Sequence, residues 1–363
     1  MKNTFGSSIS ITLFGESHGQ NIGAVIDGLP AGISVDTEKI ESYLAKRRPF
    51  GKISTPRREK DSFRIASGVF NGKTCGTPIC ILIENSDTNS SDYEKNRFLP
   101  RPSHADFTAD CKYHGFQDYR GGGHFSGRIT APVVACGGII IPALRKKGIV
   151  IATHIKECAE ISDRNFEDFE KDAETLNNMD FAVLDNEKKE KMILEITSAA
   201  KDGDSVGGIL ETVICGMPKG IGEPYFDSFE GVLSHALFSI PALHGVEFGA
   251  GFGFAGMKGS DANDPFVLKD GKIVTKTNNS GGINGGISNG MPIIFRTVYR
   301  PTPSISKEQQ TVNLSSMKQE NISLKGRHDP CILHRARVVQ DSVAALCCAD
   351  LLSVKYGGDW LGE

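Results

Sequence analysis

Gly28-Leu29-Pro30-Ala31-Gly32-Ile33 recurs as Gly216-Met217-Pro218-Lys219-Gly220-Ile221, and this echo decides the reading of the fold. Ser67-Gly68-Val69-Phe70-Asn71-Gly72, leading to Gly76-Thr77-Pro78-Ile79, is likewise answered by Ser280-Gly281-Gly282-Ile283, leading to Gly290-Met291-Pro292-Ile293. Further on in each half, a loop containing Arg with Gly or Pro opens a long apolar run, near Arg128 and near Arg327. Three echoes in one order indicate an internal duplication. Short apolar runs at Ile79 to Ile83, Ile209 to Cys215 and Pro292 to Val298 read as strands beside those helices. The economical architecture is a single α+β domain over residues 1–363, with helices packed between sheets. Residues 157–192 read differently: twelve acidic and five basic side chains with little apolar period mark a peripheral, solvated excursion.

Chemistry-bearing side chains gather in four loop-like segments. In Gly15-Glu16-Ser17-His18-Gly19 the flanking glycines allow a tight backbone path that presents His18 to a ligand. In Arg101-Pro102-Ser103-His104-Ala105-Asp106, Pro102 stiffens the approach to His104 and Arg101 adds a fixed positive charge. A lone histidine is more often a hydrogen-bonded structural residue than a catalyst, so the neighbours decide. The third segment, Asp118-Tyr119-Arg120-Gly121-Gly122-Gly123-His124-Phe125-Ser126-Gly127-Arg128-Ile129-Thr130, has the form of a phosphate or carboxylate cradle. Its three glycines let backbone amides approach an anion, and Ser126, Arg128 and Thr130 add donors where an apolar helix begins. On spacing alone this is a weak signal, because Gly-rich turns before helices are common. Gly326-Arg327-His328-Asp329-Pro330-Cys331 again sets Arg, His and a carboxylate before a helix, with Asp329 also suited to be its N-cap and Pro330 its first residue.

Lys46-Arg47-Arg48-Pro49-Phe50-Gly51-Lys52-Ile53-Ser54-Thr55-Pro56-Arg57-Arg58-Glu59-Lys60 holds seven cations against one carboxylate, although the whole chain carries a formal charge of only -3. A helix capped by Asp36 or Thr37 and running through Ile40, Tyr43 and Leu44 accounts for Arg47 and Arg48 at its C-terminal dipole. Lys52, Arg57 and Arg58 lie beyond it. No aromatic stacking pattern accompanies the run and the pI is near 6.3, so a small polyanion suits it better than nucleic acid.

With 39% apolar residues the chain can bury a substantial core, and no apolar run is expected to approach a membrane span. Ile9 to Phe14 is too short and interrupted for a signal peptide. Nine cysteines without a Cys-x-x-Cys pair suit a reducing cytoplasm, with Cys347-Cys348 as packing, and no metal signature is visible.

Together the four segments resemble chorismate synthase, the shikimate-pathway enzyme family of aromatic amino acid biosynthesis that uses reduced FMN. The resemblance extends over Gly15 to Pro30, Arg47-Arg48-Pro49, Arg101 to Asp106, Asp118 to Arg128, Gly281 to Ser288 and Gly326 to Cys331, in family order. The sequence departs from the family pattern at Ser103, where a glycine is usual, at His124-Phe125 for Arg-Ser, at Ile129 for a glutamate, at Pro241 for an asparagine and at Arg300 for a lysine. The resemblance implies a β-α-β sandwich with helices between antiparallel sheets, a homotetramer, and anti 1,4-elimination of phosphate from 5-enolpyruvylshikimate 3-phosphate to give chorismate, a carbon–oxygen lyase reaction without net redox change. It also implies roles. His18 protonates the departing phosphate, His104 stabilises or protonates the reduced flavin, Asp329 assists proton removal, and Ser17 and Ser126 relay hydrogen bonds to the histidines. Arg47, Arg48, Arg57, Arg101 and Arg128 grip the substrate, with Arg327 on either anion. The flavin pattern falls on His124, Phe125, Ser126, Pro241, Ala242, Gly285, Arg300, Pro301, Thr302, Pro303, Ser304 and Arg327.

Some family members reduce their own flavin with NADPH. No Gly-x-Gly-x-x-Gly follows a strand here, so dependence on an external flavin reductant is expected. Two other classes remain to be separated. A flavin oxidoreductase would consume a hydride donor for each product, and an RNA-binding protein would lose affinity steeply with salt.

Overall fold

The duplication inferred from the echoes is visible in the strand order of a computed structural model, which describes residues 2–55, 61–85, 94, 96–324 and 328–362. The first half forms a five-stranded sheet ordered Thr4–Phe5, Ser10–Gly15, Asn21–Asp27, Ile79–Glu84, Phe63–Ile65. The second forms another ordered Ile161–Ser162, Val150–Cys158, Gly208–Cys215, Ile293–Tyr299, Leu243–Phe248. All pairings in both are antiparallel. Connectivity repeats as well. In each sheet the first two long strands pair, the next strand of that sheet in sequence goes to the edge, and the one after it fills the gap.

The Gly-x-Pro echoes occupy matching positions, each directly after the second of those paired strands. Gly28 and Gly216 both have positive φ, 86° and 78°. A Cβ on Gly28 would lie 1.9 Å from the Ser8 carbonyl oxygen, and one on Gly216 2.0 Å from that of Gly148, each two residues before the sheet's first long strand. Only glycine fits such an approach, which is why the motif survives in both halves as a readable string.

Between the sheets lie the helices Thr37–Arg47, Thr130–Lys146, Phe229–Leu237 and Leu333–Tyr356. Thr130–Lys146 packs on strands of the first sheet and on Leu333–Tyr356, which in turn packs on the second. Strand Ile79–Glu84 alternates strictly, Ile79, Ile81 and Ile83 being fully buried, each worth roughly 1.5–3 kcal/mol of hydrophobic stabilisation. Asp36 caps the first helix by accepting from the backbone N–H of Glu38 and Lys39. Contrary to the composition-based expectation, the segment Gly127–Lys146 is long and apolar enough to cross a membrane, but 83% of its most apolar window is buried inside the protein. It is the core helix of the first half, apolar all round because it is covered all round.

The acidic segment 157–192 also differs from its reading. It carries the helix Phe169–Asn177 and the start of Asn186–Lys201, and Ala173, Leu176 and Ala182 pack with Ala152 and Val213 of the second sheet. Charge counting failed because several acids serve the fold: Asp168 and Asp185 cap these helices, and buried Asp163 accepts from the N–H of Leu184 and Asp185.

Candidate active site

A cavity of about 1430 Å³ collects most of the predicted site residues, among them Arg101, His104, His124, Phe125, Ser126, Arg128, Arg300 and Asp329. Sites for one small ligand usually measure roughly 300–1,000 Å³, so this one has room for two.

His104 comes from the loop before helix Asp106–Tyr113. Its Nδ1 lies 2.8 Å from Asp106 Oδ1, and Arg101 clamps the same carboxylate through Nε at 2.8 Å and a terminal nitrogen at 2.7 Å. Burial disfavours the charged carboxylate, but hydrogen bonds from Arg101 and His104 outweigh it and hold Asp106 well below the usual carboxylate range. Ser103, standing where the family pattern has glycine, adopts a left-handed φ of 59° in this loop.

His18 sits in the hairpin between Ser10–Gly15 and Asn21–Asp27 and is buried. Ser17 Oγ lies 3.1 Å from its Nδ1 and also reaches the carbonyls of Arg120 and Gly121, while the Ser17 N–H donates to the Gly123 carbonyl. The expected contact of Ser17 with His18 is therefore present. His18 itself does not line the cavity, because the glycine loop stands beside its ring: a Cβ on Gly121 would fall 2.0 Å from His18 Cε1. The next residue, Gly122, faces His104, where a Cβ would fall 3.1 Å from Cε1. The triple glycine that read as an anion cradle thus lets both histidines approach one strand of backbone.

The arginines divide. Arg47, at the end of its helix, and Arg128 both bind the buried Asp61 carboxylate. Arg47 further donates to Thr130 Oγ1 and the Gly127 carbonyl, and Arg128 to Asn85 Oδ1 and the Glu84 carbonyl. Both guanidiniums are thus committed to the protein as well as to the cavity wall. Arg48 is not among the residues that line the cavity, and its guanidinium donates to Glu41 at 2.7 Å. Arg57 and Arg327 lie outside the described residues.

Asp329 is in the wall but is not a helix cap. The helix begins at Leu333, preceded by Ile332 without a side-chain cap, so Pro330 precedes the helix instead of opening it. The Asp329 carboxylate accepts from the Thr55 N–H at 2.9 Å and from Arg335, whose Nε donates to the Arg47 carbonyl. Ser126 also departs from its expected part. Its Oγ accepts from the Arg128 N–H at 3.3 Å, capping the turn Gly127–Ile129, and is not hydrogen-bonded to either histidine.

For a flavin, the wall offers His124, Phe125, Pro241, Ala242, Thr302, Pro303 and Ser304, with Arg300 Nε buried and without a hydrogen-bond partner among the described residues. An orphaned cationic donor in a cavity of this size fits an anionic or carbonyl-bearing ring system. His124 Nδ1 donates to the Gly15 carbonyl at 2.8 Å and therefore carries the proton. Pro301 is exposed and outside the wall, and Gly285 forms the tip of the hairpin Ile283–Asn284 to Ile287–Ser288, also outside it.

Sequence reasoning missed Asp61, Asn85 and Arg335. Asp61 stands just beyond the basic run and drew no reading, and Arg335 lies inside an apolar helix, so neither has a local signal. Asp106 was quoted within its segment but given no role.

The chorismate synthase family profile matches residues 9–353. Curated chorismate synthases from Pyrococcus abyssi and Thermococcus kodakarensis are 48% and 45% identical over 347 residues, 96% of each chain, and that of Chitinophaga pinensis is 47% identical over 350 residues, again 96% of each. A crystal structure of chorismate synthase superposes with a TM-score of 0.77 at 28% identity, covering 98% of this chain and 94% of the other. A match that spans both halves of the duplication, at this identity and with the same fold, means that the chain belongs to the chorismate synthase family.

Proposed function

We propose that the cavity binds reduced FMN and 5-enolpyruvylshikimate 3-phosphate together, and that the chain carries out the family's anti 1,4-elimination of phosphate to yield chorismate. The observation that carries this reading is a single large cavity in which His104, Arg101, Asp329 and the orphaned Arg300 meet. When bound, reduced FMN supplies electron density transiently and recovers it, so the flavin is not consumed. Arg300, with the backbone and side chains at Thr302 to Ser304, Pro241-Ala242 and His124-Phe125, holds the flavin. Arg101 and Arg128 neutralise the substrate's carboxylates and phosphate. His104 donates a hydrogen bond or proton at the reduced ring, and Asp329 assists removal of the proton from carbon. His18, backed by Ser17, protonates the departing phosphate, and the loop Gly121 to Gly123 must shift for the two to meet.

The chain is taken as one catalytic unit, supported by a core cluster running from Ile9 to Leu361. Homo-oligomerisation, as a tetramer, is supported by exposed apolar side chains such as Phe226, Phe252, Phe266 and Leu268. A cytoplasmic setting accords with nine free thiols. The flavin is reduced by an outside donor. The test is to supply the purified protein with substrate and either reduced FMN under anaerobic conditions or NADPH with FMN in air. Chorismate is expected in the first mixture alone; its absence there contradicts the function, and its appearance in the second contradicts the external donor.

A further inference from the structure

We infer that Asp106 is a positioning residue of the active site, one that fixes the ring tautomer of His104 and so decides which nitrogen it turns to the cavity. The inference rests on the reading of His104 as the group that serves the reduced flavin. It comes from the way residues 101–106 close around one carboxylate. Asp106 Oδ2 accepts from the Arg101 backbone N–H at 2.9 Å and from Arg101 Nε at 2.8 Å. Its Oδ1 accepts from an Arg101 terminal nitrogen at 2.7 Å and lies 2.8 Å from His104 Nδ1. Four contacts from two side chains and one backbone group leave the carboxylate little freedom.

The tautomer follows from donor arithmetic. An ionised carboxylate only accepts and a guanidinium only donates. His104 Nδ1 lies 3.0 Å from Arg101 and 2.8 Å from Asp106, and it cannot accept from one while donating to the other. Arg101 already has Asp106 as acceptor for the same nitrogen, and the shorter contact is to the carboxylate. Nδ1 therefore bears the proton and donates to Asp106. Nε2 is left on the side of Gly122 and the cavity, free of a fixed hydrogen as an acceptor in the neutral ring and a donor in the cation. Ser103 in left-handed φ, at the centre of the loop, is the backbone cost of this closure.

The test compares His104→Ala, Asp106→Asn, Asp106→Glu and the double variant His104→Ala/Asp106→Asn, assayed anaerobically with reduced FMN and substrate, alongside ring-¹⁵N NMR of the wild type and of Asp106→Asn. The expected results are a loss of about 10²–10⁴-fold for His104→Ala, at least tenfold for Asp106→Asn, partial recovery in Asp106→Glu, and a double variant no slower than His104→Ala alone. The NMR spectrum should show His104 protonated at Nδ1 in the wild type and a mixture in Asp106→Asn. An Nε2-protonated neutral ring in the wild type, unchanged turnover of a folded Asp106→Asn, or additive losses in the double variant would overturn the inference while leaving the role of His104 intact. Near-normal turnover of His104→Ala would instead overturn the reading on which it rests.

Discussion

Arg47 and Asp61 form an ion pair 3.1 Å long with side chains only 7% and 1% exposed, and the second oxygen of the same carboxylate serves Arg128. The sequence assigned Arg47, Arg48, Arg57, Arg101, Arg128 and Arg327 to anionic ligands, a concentration of like charge that needs counter-charges nearby. The structure answers with carboxylates: Asp61 between Arg47 and Arg128, Asp106 on Arg101, Asp329 on Arg335. Arg47, Arg128, Arg101 and Arg335 are thus neutralised and oriented by fixed carboxylates, as a site that neutralises anions at little reorganisation cost requires.

Removing Asp61 should therefore damage the fold more than the surface charge balance would indicate. Asp61→Asn leaves two buried guanidiniums facing a neutral amide, and breaking a buried pair in this way costs roughly 3–5 kcal/mol. Thermal melting should register the loss, and a melting temperature equal to the wild type's would show that the shared carboxylate contributes nothing.

Gly121→Ala is expected to disable the enzyme through His18. The added Cβ would lie 2.0 Å from the imidazole at a φ of 59°, so ring or loop must move. Turnover should fall by about 10²-fold or more, within the usual worth of a proton-transfer group. Gly253→Ala, which meets nothing within 4 Å, serves as the control and should be neutral. If the two variants turn over alike, the close packing of His18 on this loop is irrelevant to the chemistry.

A buried charge cluster outside the cavity should give the fold a pH signature. His154 Nδ1 lies 2.7 Å from Asp163 and Nε2 3.0 Å from Glu211, whose other oxygen meets Arg296. With an acceptor at each nitrogen the ring is held as imidazolium. Burial opposes that charge, but the two carboxylate hydrogen bonds win and raise His154 above its ordinary 6.5. Burial likewise opposes Asp163 and Glu211, yet their hydrogen bonds keep them below the ordinary 3.8 and 4.5. The histidine's contribution is complete below its unfolded value and lost as pH rises through the raised native one. The carboxylates' contribution is complete above their unfolded values and lost as pH falls through the lowered native ones. The cluster thus stabilises most between about pH 5 and 6.5. His154→Gln should lower the melting temperature more at pH 6 than at pH 9, and an equal loss at both would refute the imidazolium.

What the sequence revealed and what it hid have physical reasons. Gly28 and Gly216 were legible because a carbonyl 2 Å from a would-be Cβ admits no other residue, so the same letter recurs where the fold repeats. His104 and Arg101 were legible because they share a short loop with their partner Asp106. Asp61 was not: it is 14 residues from Arg47 and 67 from Arg128, and pairing across such separations leaves no local pattern. Arg48 was grouped with Arg47 by adjacency, yet it meets Glu41 and does not line the cavity, because successive residues at a helix end point to different sides. The acidic segment was misread because caps and buried carboxylates count as charge in a composition while acting as hydrogen-bond acceptors in the fold.

The central claim is an elimination that borrows electrons from the flavin and returns them. The most direct measurement is an anaerobic reaction of the purified protein with a known, limiting amount of reduced FMN and excess substrate, following chorismate, free phosphate and flavin oxidation together. Chorismate and phosphate should appear one for one, over many turnovers per flavin, with the FMN still reduced at the end. Oxidation of one reduced flavin for each product formed, or phosphate release without chorismate, would contradict the account.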